Sequence, residues 1–187
     1  MTETNLPPKC IVFDIDGILT DGSKFYSTED GSPVMAKKFN DLDFTAIKIL
    51  KCFSIKVYFL SGDSTVNRDL ARSRNINFIY SRDERGIALK KASFLEKICN
   101  ELSIDAKELW YIGDDIFDLS ALNYAGKSFC PSNSFEFIKK AVDVVIPRKS
   151  GEFLAAWIVD YLSENFDMDL PTEEDVARQE ESENQKY

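Results

Sequence analysis

The sequence predicts an α/β fold: a Rossmann-like parallel sheet with helices on both faces, a small β-hairpin insertion and no separate cap domain. Three observations carry this reading. Short apolar runs of buried-strand character occur at Cys10-Ile11-Val12-Phe13, Ile55-Lys56-Val57-Tyr58-Phe59-Leu60 and Leu109-Trp110-Tyr111-Ile112. Segments with helical periodicity separate the strands, and such alternation argues for parallel pairing. Each run ends in a turn rich in glycine and acid: Asp14-Ile15-Asp16-Gly17, Ser61-Gly62-Asp63 and Gly113-Asp114-Asp115. A sheet of this kind binds ligands at the carboxyl ends of its strands.

The elements follow in order. After the first strand, Lys24-Phe25-Tyr26-Ser27 and Val34-Met35-Ala36-Lys37-Lys38-Phe39 flank Glu29-Asp30-Gly31-Ser32, a β-hairpin pattern. Residues 43–53 read as a helix with Phe44, Ile47 and Leu50 on one face. The second strand leads to a helix over 64–74 and a short strand over 76–80. A third helix is expected over 86–102, where Phe94, Leu95, Ile98, Cys99 and Leu102 keep the 3.6-residue period. The third apolar run is followed by a helix over 115–124. Further strands at 128–130 and 142–146 enclose a helix at 134–140, and a last amphipathic helix covers 152–162. No internal repeat is evident.

At 187 residues, 44% hydrophobic and 29% charged, the chain suits one globular domain with a real core. Residues 10–165 form that domain, 1–9 an N-terminal extension and 166–187 an acidic, flexible tail. The segment 163–187 holds nine acidic and two basic residues, so most of the net charge of −9 sits there. A basic face for nucleic acid is not expected. No long apolar run and no charged-then-apolar N-terminus is present, which argues against a membrane span or a secretory signal. The complete lack of histidine excludes Ser-His and Cys-His catalysis and any histidine-ligated metal, leaving carboxylate chemistry. Cys10, Cys52, Cys99 and Cys130 are far apart, each in an apolar pattern, which reads as buried thiols in a reducing cytoplasm.

The chemistry sits at the strand ends. Asp14 and Asp16, two residues apart, are expected to point to the same side of the sheet, and Gly17 and Gly22 allow the backbone to turn tightly beside a ligand. One carboxylate can attack, the other can carry protons, and both can gather around a divalent cation. The Ser61 hydroxyl and the N–H groups at Ser61-Gly62, before a helix N-terminus, suit a phosphate. Asp114, Asp115 and Asp118 follow the third strand; alternatively Asp115 caps a helix and Asp118 is merely exposed. Lys90 and Lys91 open the third helix, and either could be a solvated lysine.

Taken in order, Asp-x-Asp, Ser, Lys and Gly-Asp-Asp resemble the four motifs of the haloacid dehalogenase superfamily of phosphotransferases, over roughly residues 11–162. The resemblance implies that Asp14 is a nucleophile forming an aspartyl-phosphate and Asp16 the general acid/base. It implies that Ser61, with Gly62, hydrogen-bonds the phosphoryl oxygens, and that Lys91 balances charge between nucleophile and phosphate. The motif alone leaves Lys90 open; Lys91 is preferred for its step with Leu102. Asp114 would hold Mg²⁺ with Asp14 and the backbone carbonyl of Asp16, supported by Asp115 or Asp118. A dianionic phosphate monoester among four carboxylates needs Mg²⁺ and a lysine to offset repulsion.

About thirty residues separate Gly22 from the second strand, and about as many lie between Ser61 and Lys91, too few for a cap domain plus a crossover helix. This is similar to the capless branch represented by the 3-deoxy-D-manno-octulosonate 8-phosphate phosphatases, which implies a homotetramer with shared active sites. The chain carries Leu42-Asp43-Phe44-Thr45-Ala46-Ile47 where that branch has Arg-Asp-Gly-x-Gly-Ile, and Asp63 where many relatives have arginine. The expected activity is hydrolysis of a small phosphorylated metabolite, a phosphosugar or sugar-acid phosphate. The alternatives are a non-catalytic oligomeric binding protein and a phosphotransferase or mutase.

Overall fold

The structure, a computed structural model, describes residues 7–26, 33–34, 36–166 and 168–184. Its elements run β1 (Cys10–Phe13), β2 (Phe25–Tyr26), β3 (Pro33–Val34), α1 (Asp41–Cys52), β4 (Lys56–Ser61), α2 (Thr65–Ser73), β5 (Asn77–Tyr80) and α3 (Ala92–Leu102). They continue with β6 (Leu109–Ile112), α4 (Leu119–Leu122), β7 (Lys127–Pro131), α5 (Glu136–Lys139), β8 (Val144–Ile146), α6 (Leu154–Phe166) and α7 (Glu173–Asn184). Six parallel strands form one sheet in the order β5-β4-β1-β6-β7-β8. The chain builds outward from β1 through β4 to β5, then returns to the other side of β1 at β6. The carboxyl ends of β4, β1 and β6 therefore meet where the order reverses, the usual ligand crevice of such sheets.

Strand alternation sorts the side chains onto two faces. Ile11 and Phe13 of β1, Val57 and Phe59 of β4, and Trp110 and Ile112 of β6 join Phe44, Ile47 and Leu50 of α1 and Leu154, Ile158 and Leu162 of α6. Cys10, Val12, Tyr58, Leu60, Leu109 and Tyr111 face the other way, onto Leu95 and Ile98 of α3, Leu122 of α4 and Ile138 of α5. Truncating one fully buried ring such as Phe59 to alanine costs about 3–5 kcal/mol.

Helix α1 starts where the Asn40 side chain accepts the Leu42 N–H. Within it, buried Asp43 serves the neighbouring helix. Its Oδ1 accepts the N–H groups of Ala155 (2.8 Å) and Ala156 (3.3 Å) at the start of α6, where carboxylates are favoured. The segment that departs from the Arg-Asp-Gly-x-Gly-Ile pattern thus ties α1 to α6.

The hairpin strands β2 and β3 pair antiparallel; the expected turn at 29–32, with Ser27 and Met35, lies outside the described residues. Helices α3 and α4 fall furthest short of their expected spans. Residues 86–91 do not belong to α3: Arg82 bridges Ala88 antiparallel, Leu89 N–H donates to Ser81 C=O, and Ile87 and Leu89 are exposed. Residues 115–118 do not belong to α4, because the Asp118 carboxylate takes the N–H groups of Asp114 and Asp115 and holds them in a turn. The acidic C-terminal segment, expected as a flexible tail, contains α7. That helix is capped by a reciprocal Thr172–Asp175 pair, lies along α1 and pairs Glu180 with Lys48. Among the described residues no helix is long and apolar enough to cross a membrane, and all four cysteines are thiols.

Candidate active site

Asp14 sits one residue beyond β1, its N–H still bonded to Ile112 C=O (2.9 Å). It keeps the strand's parity, so its side chain follows Cys10 and Val12 toward the α3 face. There its Oδ2 meets the Lys91 ammonium at 3.0 Å and its Oδ1 accepts the Ile15 N–H at 2.8 Å. Lys91 immediately precedes α3 and is 4% exposed, while Lys90 is exposed. Its Nζ also lies 2.6 Å from Asp118 Oδ1.

Asp118 is not exposed at a helix start. It is fully buried, and its Oδ1 accepts the Tyr111 hydroxyl (2.5 Å) as well as Lys91. Its Oδ2 accepts the N–H groups of Asp114 (3.0 Å) and Asp115 (3.1 Å). The residue therefore fixes the loop that presents Asp114. Asp115 caps that turn by accepting the Phe117 N–H at 2.7 Å and lines the cleft. Asp114 packs on Gly17: a Cβ at position 17 would lie 2.2 Å from Asp114 Oδ2, and the φ of +91° there also requires glycine.

The electrostatics follow from this crowding. Burial pushes the Asp14 carboxyl well up, with Lys91 opposing. Burial and then Asp118 and Asp115 raise Asp114 to about 7. Burial also works against Asp118, but Lys91, Tyr111 and the backbone N–H groups outweigh it and keep that carboxyl low. Lys91, despite its own burial, is held protonated by Asp14 and Asp118.

Carboxylate oxygens of Asp14, Asp114 and Asp118 lie within 4.8 Å of one another. Three carboxylates around one ammonium leave an excess of two negative charges, which one divalent cation matches. With Asp118 spent on other donors, Asp14 and Asp114 retain lone pairs for a hard, oxygen-seeking ion that keeps most of its water. The residues present fit such an ion.

Asp16 lines the same cleft as Asp14 but does not share its partners. The strand ends at Phe13, and the N–H groups of Ile18, Leu19 and Thr20 all turn back to Ile15 C=O, so period-two alternation no longer applies. The Asp16 carboxylate faces the end of β4 instead. Its Oδ2 accepts the Ser61 hydroxyl (3.2 Å) and the Asn67 amide (2.9 Å), and its Oδ1 pairs with Lys37 Nζ at 2.6 Å. Lys37 also meets Asp63 at 2.8 Å and Asn67 Oδ1 at 3.0 Å. Burial disfavours ionised Asp63, but hydrogen bonds from Lys37 and Thr65 hold its carboxyl at about 2. Asn67 is fully buried and also donates to Ser61 Oγ at 3.0 Å.

Asp14, Asp16, Ser61, Gly62, Lys91 and Asp115 all line one cleft of about 660 Å³ at the carboxyl edge of the sheet. Sequence reading missed Lys37, Asn67 and Arg82 in this region. Asn67 left a signal, a polar residue four positions before buried Ala71 on the same face of α2. Lys37 left none, since nothing separates it from a surface lysine. The rim carries exposed Phe25, Phe117 and Leu89.

Residues 71–158 match the family model described as haloacid dehalogenase-like hydrolase. The chain is 31% identical over 145 residues to the 3-deoxy-D-manno-octulosonate 8-phosphate phosphatase of Haemophilus influenzae, covering 77% of this chain and 76% of that protein. The cobalt-bound structure of the phosphatase of that name from the same organism superposes with a TM-score of 0.73 at 29% identity, over 84% of this chain and 88% of that one. The Moraxella catarrhalis phosphatase of this name, solved with a magnesium ion, a phosphate ion and a KDO molecule, gives 0.73 at 27% identity, over 86% and 90%.

Proposed function

The chain belongs to the haloacid dehalogenase-like hydrolases and is a phosphoric monoester hydrolase, and we propose that it cleaves a phosphorylated sugar acid through an aspartyl-phosphate on Asp14 with Mg²⁺ as cofactor. The observation that carries this reading is the division of one cleft between two carboxylates with separate partners. Asp14 lies against Lys91 and Asp118, and Asp16 against Lys37, Asn67 and Ser61.

In the proposed reaction an Asp14 carboxylate oxygen attacks phosphorus, and the bond from phosphorus to the substrate oxygen breaks. Asp16 donates a proton to the departing alkoxide, which leaves as an alcohol. It then takes a proton from the water that attacks phosphorus and displaces Asp14, releasing inorganic phosphate. Lys91 offsets the charge of nucleophile and phosphoryl group, and Ser61 with the Gly62 N–H orients the phosphoryl oxygens. Asp14, Asp114 and the Asp16 carbonyl would hold the cation, with Asp118 and Asp115 fixing Asp114. The ion supplies charge neutralisation and Lewis acidity at the phosphoryl group.

The sugar-acid reading draws support from the names of the relatives and from the cationic side chains Lys24 and Arg82 on the cleft wall. We place the catalytic domain at residues 10–165 and the enzyme in the cytoplasm, a reading supported by four cysteines kept as thiols. The exposed Phe25, Ile116, Phe117, Phe135 and Phe137 support a homotetramer in which neighbours cover the rim.

The test is phosphate release from a panel of phosphate monoesters with Mg²⁺ or with EDTA, the panel spanning eight-carbon sugar-acid, hexose and nucleoside phosphates. Mg²⁺-dependent release that is fastest for the sugar acid supports the proposal; release indifferent to EDTA, or fastest for a nucleotide, contradicts it.

A further inference from the structure

We propose that Arg82 is the specificity residue of this cleft, reading a second anionic group on the substrate, a carboxylate several bonds from the phosphoryl group. The inference rests on the phosphatase reading and adds a contact to it.

Residues 81–89 form a small flap at the mouth of the cleft. Ser81 continues β5 by donating its N–H to Ser61 C=O, and the flap closes through Asp83 N–H to Ile87 C=O and Leu89 N–H to Ser81 C=O, each 2.9 Å. The Asp83 carboxylate takes the N–H groups of Arg85 (2.9 Å) and Ile87 (2.8 Å), which locks the turn. This flap holds Arg82 half-buried on the cleft wall. Its Nε donates to Gly62 C=O at 2.7 Å and one terminal nitrogen to Gly86 C=O at 2.9 Å. The fit at Gly62 is close: a Cβ there would come within 3.1 Å of Arg82 Nε, and the side chain would have to shift slightly.

Charge bookkeeping separates Arg82 from its neighbours. Lys91 is matched by Asp14 and Asp118, and Lys37 by Asp16 and Asp63. Arg82 has neutral carbonyls as its only partners and no ion pair among the described residues. A guanidinium carries five N–H donors, so most of its fork remains available in a fixed orientation, which suits a planar carboxylate. Lys24 also lines the cleft, but it is exposed and no hydrogen bond anchors it among the described residues. Arg82 stems from the end of β5, two strands from β1 in the order β5-β4-β1, about 10 Å at about 4.8 Å per strand, and its guanidinium reaches back as far as Gly62 at the end of β4. A carboxylate held by its outer N–H groups is then several bonds from a phosphoryl group at Asp14.

The experiment compares kcat/KM for 6-phosphogluconate and glucose 6-phosphate, an acid and a neutral ester of similar size, in the native enzyme, Arg82→Ala and Arg82→Lys. The native enzyme should prefer the acid, and Arg82→Ala should reduce the acid-to-neutral ratio about 10- to 100-fold, the range for a hydrogen bond to a charged partner. Arg82→Lys should restore part of it. A native enzyme without preference for the acid, or an equal fall on both esters with the ratio unchanged, overturns the assignment and leaves the phosphatase reading standing. No Mg²⁺-dependent release from either ester or from p-nitrophenyl phosphate by the native enzyme overturns both. Should the variants not fold, inhibition of native p-nitrophenyl phosphate hydrolysis decides: gluconate should inhibit at least tenfold better than glucose, and equal inhibition overturns the assignment.

Discussion

Lys37 Nζ lies 2.6 Å from Asp16 Oδ1, so the proposed general acid/base of this site is held by a lysine from the segment that follows the hairpin. The same ammonium bonds Asn67 Oδ1 and pairs with Asp63, which links the end of the hairpin segment to the β4–α2 turn. We treat Lys37 as a positioning residue. Lys37→Met should lower kcat about 10- to 100-fold, part of the 10²–10⁴ that a placed acid/base contributes, with a much smaller change in KM. Lys37→Arg should recover part of the loss. Steady-state kinetics with thermal melts separate this from unfolding; an unchanged kcat in a folded Lys37→Met protein contradicts it.

Asp118 should matter for stability as much as for turnover. Replacing it with Asn leaves buried Lys91 with Asp14 alone and weakens the turn that carries Asp114. Breaking one side of such a buried pair costs about 3–5 kcal/mol. Urea unfolding of Asp118→Asn should show a loss in this range; a loss under about 1 kcal/mol would mean that the pair contributes little.

Metal-free protein should lose stability as pH rises from 4 to about 7. Burial together with Asp118 and Asp115 raises Asp114 to about 7, and burial raises Asp14 in the same direction. An acid whose folded pKa exceeds its unfolded one favours the folded state fully below the unfolded value near 4. That advantage disappears as pH climbs through the folded value. The slope should approach about 1.4 kcal/mol per pH unit for each such group, and Mg²⁺ should reduce it. Urea midpoints across this range, with EDTA and with Mg²⁺, and in Asp114→Asn, check the sign; a flat metal-free profile contradicts it.

Gly17→Ala should damage the cation site more than the fold. The added Cβ meets Asp114 Oδ2 at 2.2 Å in a backbone of positive φ, so Asp114 must move. The Mg²⁺ concentration for half-maximal activity should rise about 10- to 100-fold, as when a group that orients a ligand is lost. An unchanged Mg²⁺ titration contradicts this.

The sheet was legible because strands buried on both faces leave unbroken apolar runs, and the ends of β1, β4 and β6 announce themselves with Asp14, Ser61 and Gly113. The start of α3 was not, because Gly86-Ile87-Ala88-Leu89 imitates helical spacing. Asp83 followed by Gly86 three residues later is a turn signature that outweighs it. Asp14 and Asp16 share the cleft, but the different partners of Asp16 were not legible because strand alternation ends at Phe13. Those partners were hidden for a second reason. Lys37 comes from a different segment of chain than Asn67 and Asp63, and its long-range polar contacts leave no local periodicity; only Asn67 left a trace, in the spacing of α2.

On the proposed mechanism Asp14 becomes phosphorylated during turnover. The direct measurement is peptide mass mapping of enzyme acid-quenched while hydrolysing a saturating sugar-acid phosphate with Mg²⁺, beside Asp14→Asn treated alike. A phosphate adduct is expected on the peptide that contains Asp14, absent from the variant, whose turnover should be lost although it melts like the native protein. Ordinary turnover in Asp14→Asn, or an adduct on a different residue, would contradict it.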